Sequence, residues 1–228
     1  MTHTPIGAIL QRDGSYAIMT NNPAGIITPE ELERIAAVGR KYKVPYLKIT
    51  SGQRIILAGI KPEDVASVFA DLGPLSKPDT GPGVKFVQAC LGTEMCRYGS
   101  QDSIALARMI GEKVKDRSFP AKIKMGVSGC QRCCSESQLR DIGLIGTIRG
   151  WIIFFGGNGG TKPRVGDLLA SGLSADEAID CVLRLLDYYA THANPKERTA
   201  RFIERIGIET VKSELLSTIP YIPLEKVK

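Results

Sequence analysis

At 228 residues and 43% hydrophobic composition, the chain can hold one large domain or two small ones, with a core that needs no disulfides. No run of about eighteen apolar residues occurs, so no membrane-spanning helix is expected. The formal charge of +6 is dispersed and aromatics make up only 6%, which argues against a nucleic-acid-binding surface with rings for bases to stack on. The start, Met1-Thr-His-Thr-Pro5, lacks the layout of a secretion signal, and six cysteines without one read as reduced thiols of a cytoplasmic protein.

The first seventy-odd residues predict a compact α/β unit. Tyr16–Thr20 alternates like a strand and Asn21-Asn-Pro-Ala-Gly25 makes a turn. Thr28-Pro-Glu-Glu31 is a helix start, with Thr28 as N-cap and Glu31 placed to close a capping box. Leu32, Ile35, Ala36, Val38 and Gly39 form the apolar face of that helix, which ends near Tyr42. Tyr46–Thr50 and Arg54–Leu57 predict short strands around Ser51-Gly52, and Pro62–Leu72 a helix buried through Val65, Val68, Phe69 and Leu72. Gly73-Pro-Leu-Ser-Lys-Pro-Asp-Thr-Gly-Pro-Gly83 reads as a linker, dividing the chain into residues 1–77 and 78–228.

Beyond the linker, Val84–Val87 is a strand leading to Cys90, Ser103–Val114 a helix, and Ile123–Val127 a strand leading to Cys130. Ile142–Gly146 and Trp151–Phe155 predict paired strands across Arg149-Gly150. The loop Gly156-Gly-Asn-Gly-Gly160 follows, then helices over Ala175–Ala190 and Pro195–Ile206. Trp151 and Cys181 read as core residues.

Four cysteines in two pairs, Cys90-x5-Cys96 and Cys130-x3-Cys134, carry the chemistry. Both pairs lie where the chain leaves a strand, in glycine-bearing turns that would let backbone N–H groups approach the sulfides of a cluster and tune its potential. Four convergent thiolates suit an iron–sulfur cubane with one sulfur per iron, and five intervening residues is long for a zinc half-site. Cys130-x2-Cys133 is an alternative ligand pair. Lys122 and Lys124, two apart on one strand, project to the same side and would suit a small anion.

Cys90-Leu-Gly-Thr-Glu-Met-Cys-Arg-Tyr-Gly-Ser-Gln-Asp-Ser103, Lys122-Ile-Lys-Met-Gly-Val-Ser-Gly-Cys130 and Gly156-Gly-Asn-Gly-Gly-Thr-Lys-Pro-Arg164, in this order, resemble the sulfite and nitrite reductase family. Leu47-Lys-Ile-Thr-Ser-Gly-Gln-Arg-Ile55 is similar to that family's ferredoxin-like half. The resemblance covers about residues 8 to 215 and implies an α+β chain: an N-terminal ferredoxin-like half-module, then an α/β domain for sirohaem and a [4Fe–4S] cluster. It implies cluster ligation by Cys90, Cys96, Cys130 and Cys134, the last shared with the sirohaem iron, and makes Cys133 the bystander.

The same resemblance implies a six-electron reduction of sulfite to sulfide, or of nitrite to ammonia, with Lys122 and Lys124 at the anion. Larger members carry Thr-Thr-Arg-Gln where this chain has Thr50-Ser-Gly-Gln53, so Arg54 is the candidate for the missing arginine. The eight carboxylates of sirohaem call for donors, and Arg54, Arg97, Arg132, Lys162 and Arg164 each lie beside a motif, while Asn158 fits a backbone that must pass close to the macrocycle. Asn158 also reads as a tight turn needing positive φ. A single copy of the module implies a homodimer, and electrons are expected from a separate ferredoxin or flavoprotein. The competing readings are an electron-transfer or cofactor-carrying subunit without turnover, and a structural zinc module.

Overall fold

The computed structural model describes residues 7–76 and 81–215. The chain divides into two compact units, residues 1–81 and 82–228. The boundary expected at residues 77 and 78, within the linker, lies outside the described residues.

The first unit holds strands β1 (Ile9–Leu10), β2 (Tyr16–Met19), β3 (Tyr46–Ile49) and β4 (Ile55–Ile60) and helices α1 (Pro29–Lys41) and α2 (Val65–Leu72). Its sheet is antiparallel in the order β1-β2-β4-β3. The capping box forms as expected: Glu31 N–H donates to Thr28 Oγ1 at 3.2 Å, and Thr28 N–H donates to the Glu31 carboxylate at 2.8 Å. Ile35 and Val38 of α1 and Val65, Val68 and Leu72 of α2 pack on Tyr16, Ile18, Leu57 and Ile60, the inward residues of β2 and β4. Leu32, expected on the apolar face of α1, is instead exposed. The helix expected from Pro62 begins as a 3₁₀ turn at Pro62–Asp64 and becomes α-helical only at Val65.

The second unit holds β5 (Val84–Ala89), α3 (Gly92–Met95), α4 (Ser103–Lys113), β6 (Ile123–Ser128), β7 (Ile142–Thr147), β8 (Gly150–Phe155), β9 (Asp167–Leu173), α5 (Ala175–His192), α6 (Thr199–Ile206) and α7 (Ile208–Leu215). The strands lie in sequence order, β5, β6 and β7 parallel, then β8 and β9 antiparallel. Helix α4 packs on β5 and β6, and α5, α6 and α7 pack on β8 and β9. Trp151 and Cys181 are buried as expected, and Phe155, Tyr189 and Phe202 meet edge to face with centroids 5.3 to 6.4 Å apart.

Among the elements the sequence did not suggest, α3, β9 and α7 all lie in this unit. Helix α6 starts at Thr199, not Pro195, because residues 194–198 form a turn held by Glu197 N–H to the Asn194 carbonyl. What positions the site is the connection from β6 to β7. Parallel strands usually need a long crossover; here residues 129–141 make it, folding back over the face of β6 opposite α4.

Candidate functional site

Each cysteine pair begins at a strand end, where register fixes the first thiol. Cys90 follows β5, its N–H donating to the Val127 carbonyl of β6 at 3.2 Å. Its Sγ accepts the Gly129 N–H at 3.1 Å, and Ser103 Oγ donates to the Cys90 carbonyl at 2.8 Å. The short helix α3 carries the chain to Cys96, whose N–H closes back on the Gly92 carbonyl at 2.9 Å. Ser100 and Gln101 both donate their N–H to the Gly129 carbonyl, at 2.8 and 3.0 Å, which ties the first loop to the second.

Three of the ligand candidates act on the fourth. Burial first, then Cys90, Cys130 and Cys96, push the Cys134 thiol above its ordinary value, and Arg132 pulls it back. Among the described residues no three Cys, His, Asp or Glu side chains close on one point as the ligands of a single ion do. A cubane takes one thiolate at each iron corner, and a donor set of four thiols with a backbone N–H at one of them is of the kind it needs.

Cys133 is placed differently. Its φ of 55° is left-handed, and its carbonyl accepts the Glu136 N–H at 2.8 Å while its own N–H donates to the Cys130 carbonyl. For a side chain with a Cβ this backbone is unfavourable by about 1–2 kcal/mol. The loop holds it there as the turn that directs Cys134.

The basic candidates fall into three groups. Arg97 and Arg132, one from each cysteine loop, both lie over the Tyr98 ring, at 4.6 and 3.9 Å from its centroid, and both are exposed. Two guanidiniums held on one ring beside the cysteines suit a polycarboxylate.

Lys122 and Lys124 enter β6 at the end away from Cys130, and the Ser135–Arg140 turn lies between. A Cβ on Gly126, the next residue on the Lys124 face, would meet the Ser135 carbonyl oxygen at 2.7 Å and Arg140 Cγ at 2.9 Å. Burial, then Lys122, Arg198 and Arg140, push the Lys124 ammonium below the usual lysine range, while Asp141 acts the other way. Asp141 is buried and accepts from Lys124 N–H at 2.8 Å, from Arg198 at 2.7 and 2.9 Å, and from Thr199 Oγ1 at 2.6 Å. Arg140, Asp141 and Arg198 therefore belong to this cluster, and sequence reasoning missed all three.

The third group is the glycine loop. Asn158 does not have positive φ, as expected of it; Gly156 does, at 80°. Asn158 works through its side chain, donating to the Lys162 carbonyl at 2.7 Å and accepting Gly160 N–H at 3.2 Å. Arg164 braces the same loop by donating to the Gly156 carbonyl at 3.0 Å and pairing with Asp167 at 2.7 Å, while Lys162 is exposed. Arg54 belongs to the first unit, half-buried ahead of β4, with its N–H on Thr50 Oγ1 at 3.3 Å.

Two family models cover most of the chain. Residues 80–220 match the model of the nitrite and sulphite reductase 4Fe-4S domain, and residues 9–75 that of the nitrite/sulfite reductase ferredoxin-like half domain. An assimilatory-type sulfite reductase of Nitratidesulfovibrio vulgaris is 44% identical over 95% of this chain and 100% of its own length. A nitrite reductase [NAD(P)H] of Bacillus subtilis is 40% identical over 91% of this chain, which spans only 26% of that protein. The fold matches that of dissimilatory sulfite reductase I with a TM-score of 0.80 at 16% identity, over 92% of this chain and 70% of that one.

Proposed function

The chain belongs to the nitrite and sulphite reductase family, with a [4Fe–4S] cluster and sirohaem as its cofactors, and on that premise we propose that it reduces sulfite to sulfide by six electrons. The observation that carries sulfite over nitrite is the higher identity to the assimilatory-type sulfite reductase, 44% against 40% for the nitrite reductase above. When bound, the two cofactors supply electrons singly and a metal face for the anion.

Cys90, Cys96, Cys130 and Cys134 would hold the cluster in this reading, and Cys134 would also serve the sirohaem. Arg97, Arg132 and Lys162 serve the carboxylates of the macrocycle, and Asn158 and Arg164 shape the loop that carries Lys162. Lys122 and Lys124 attract the oxyanion and hand it protons. One cation about 4 Å from an anion contributes roughly 4 kcal/mol at an effective dielectric near 20, before desolvation. The lowered pKa of Lys124 favours proton donation, because the ammonium releases its proton more readily than an ordinary lysine.

An external ferredoxin or flavoprotein supplies the electrons, and two copies of the chain associate. A second reading, a cofactor-carrying subunit that passes electrons without turnover, draws on a relative named as an assimilatory nitrate reductase electron transfer subunit, 33% identical over 84% of this chain. Anaerobic oxidation of a reduced dye, with sulfite and then nitrite as acceptor, tests both readings. A higher kcat/KM for sulfite is expected; a preference for nitrite reverses the substrate assignment, and no turnover with either anion establishes the second reading. Among the described residues no helix is long and apolar enough to cross a membrane.

A further inference from the structure

Cys134 is exposed, yet the residue after it is fully buried. Ser135 is gripped on both sides of its peptide. Its N–H donates to Ser128 Oγ at 3.1 Å, and its carbonyl accepts from Gln88 Nε2 at the short distance of 2.5 Å. Ser128 Oγ in turn lies 2.8 Å from Ser137 Oγ. Gln88 sits two residues before Cys90 on β5 and so shares its face. These four polar residues are each no more than 3% exposed and form a buried cradle behind Cys134.

Two atoms of the cradle have no hydrogen-bond partner among the described residues: Ser135 Oγ and Gln88 Oε1. Buried polar atoms are nearly always paired, and each exception costs about 1–3 kcal/mol. The two differ in kind. The Gln88 amide is fixed by the Ser135 carbonyl, since the flipped amide would set two oxygens against each other, and its stranded Oε1 follows from that grip. The Ser135 hydroxyl is a donor without an acceptor, next in sequence to a proposed ligand whose thiolate, like the sulfides of a cluster, only accepts.

We propose that Gln88 and Ser135 are positioning residues for Cys134. Gln88 fixes the peptide that follows the ligand, and the Ser135 hydroxyl donates to sulfur at that corner when the cluster is in place. The proposal rests on the reading of Cys134 as a cluster ligand. A hydrogen bond to sulfur favours the more negative reduced cluster and so raises its reduction potential.

The test uses the full chain, reconstituted anaerobically with iron, sulfide and sirohaem. The wild-type protein comes first: if it takes up neither group, the functional reading fails before this inference is reached. With both groups bound, Ser135→Ala is compared by redox titration followed by electron paramagnetic resonance. Removing an unpaired hydroxyl leaves the thermal midpoint of the unloaded chain unchanged or raised, while the loaded cluster shifts to a more negative potential. Gln88→Met retains iron and changes the signal of the reduced cluster. Equal loading with wild-type potential and wild-type spectrum in Ser135→Ala overturns the proposal, even if Gln88→Met fails to fold.

Discussion

Gly126 and Gly143 stand opposite each other on β6 and β7, and the segment from Ser135 to Ser137 lies flat across the pair. A Cβ on Gly143 would fall on the Ser137 carbonyl oxygen, and one on Gly126 would meet the Ser135 carbonyl oxygen at 2.7 Å. Neither contact is with a flexible side chain, so the loop itself would have to lift. Gly143→Ala is expected to destabilise the chain by about 1–3 kcal/mol, as overpacking in a core does. It should also lower bound iron per chain by displacing Cys130 and Cys134. Urea denaturation of the unloaded chain and iron analysis of the loaded one check the two halves; full iron with wild-type stability would mean that the loop tolerates the lift.

The left-handed φ of Cys133 separates it from Cys134 experimentally. Cys133→Gly relieves a backbone conformation that only glycine adopts freely, so cluster content is expected to stay at the wild-type level with stability unchanged or slightly raised. Cys134→Ser is expected to lose the electronic coupling between the two cofactors. If Cys133→Gly loses that coupling and Cys134→Ser keeps it, the ligand assignment is reversed.

Asp141 ties β6, β7 and the start of α6 together through Lys124 N–H, Arg198 and Thr199. The carboxylate is buried while Arg198 is 30% exposed. Asp141→Ala is therefore expected to cost about 3 kcal/mol, the low end for breaking a buried pair. Chemical denaturation monitored by circular dichroism measures this, and a loss under about 1 kcal/mol would show that the network relaxes without it.

What the sequence displayed and what it concealed divide along physical lines. Thr28 and Glu31 lie three residues apart, and β7 and β8 meet across a two-residue turn, so local chemistry makes both legible. Asp141 and Arg198 are 57 residues apart and no periodicity links them. Gln88 lies just past the strand expected at Val84–Val87, and nothing local reports that the cysteine loop will cover it. Strand β9 contains Ala170-Ser-Gly172 and is largely buried, so it lacks the polar–apolar alternation that marks a half-exposed strand. The cysteines were legible by spacing, and the order of the motifs around them carried the resemblance. The lysines were legible as a pair, but the Ser135–Arg140 turn that stands between them and Cys134 was not.

Cys181 offers an internal standard for thiol chemistry. Burial in α5 pushes its thiol up to about 12, far above the range in which thiolates form at neutral pH. Alkylation of the unloaded, folded chain at pH 8 is expected to modify Cys90, Cys96, Cys130, Cys133 and Cys134 within the time that leaves Cys181 untouched. Peptide mass analysis reads this directly. Early labelling of Cys181 would show that α5 opens under native conditions.

Lys124 provides the sharpest pH prediction. Its folded pKa lies below that of an ordinary lysine, about 10.4, because burial and then Lys122, Arg198 and Arg140 oppose its charge. The sign follows from linkage: the folded chain binds this proton less tightly than the unfolded chain, so the group lowers stability below its folded pKa, and that penalty fades as pH rises towards the unfolded value. Anion binding runs the other way, since the ammonium is the form that attracts sulfite and it is lost earlier than in a solvated lysine. KM for sulfite is therefore expected to rise on the alkaline side earlier than an ordinary lysine would make it rise. Lys124→Arg, which keeps its charge throughout, should remove that limb of the profile, and Lys124→Ala should raise KM at neutral pH with both cofactors retained. An alkaline limb unchanged in Lys124→Arg would assign it to another group.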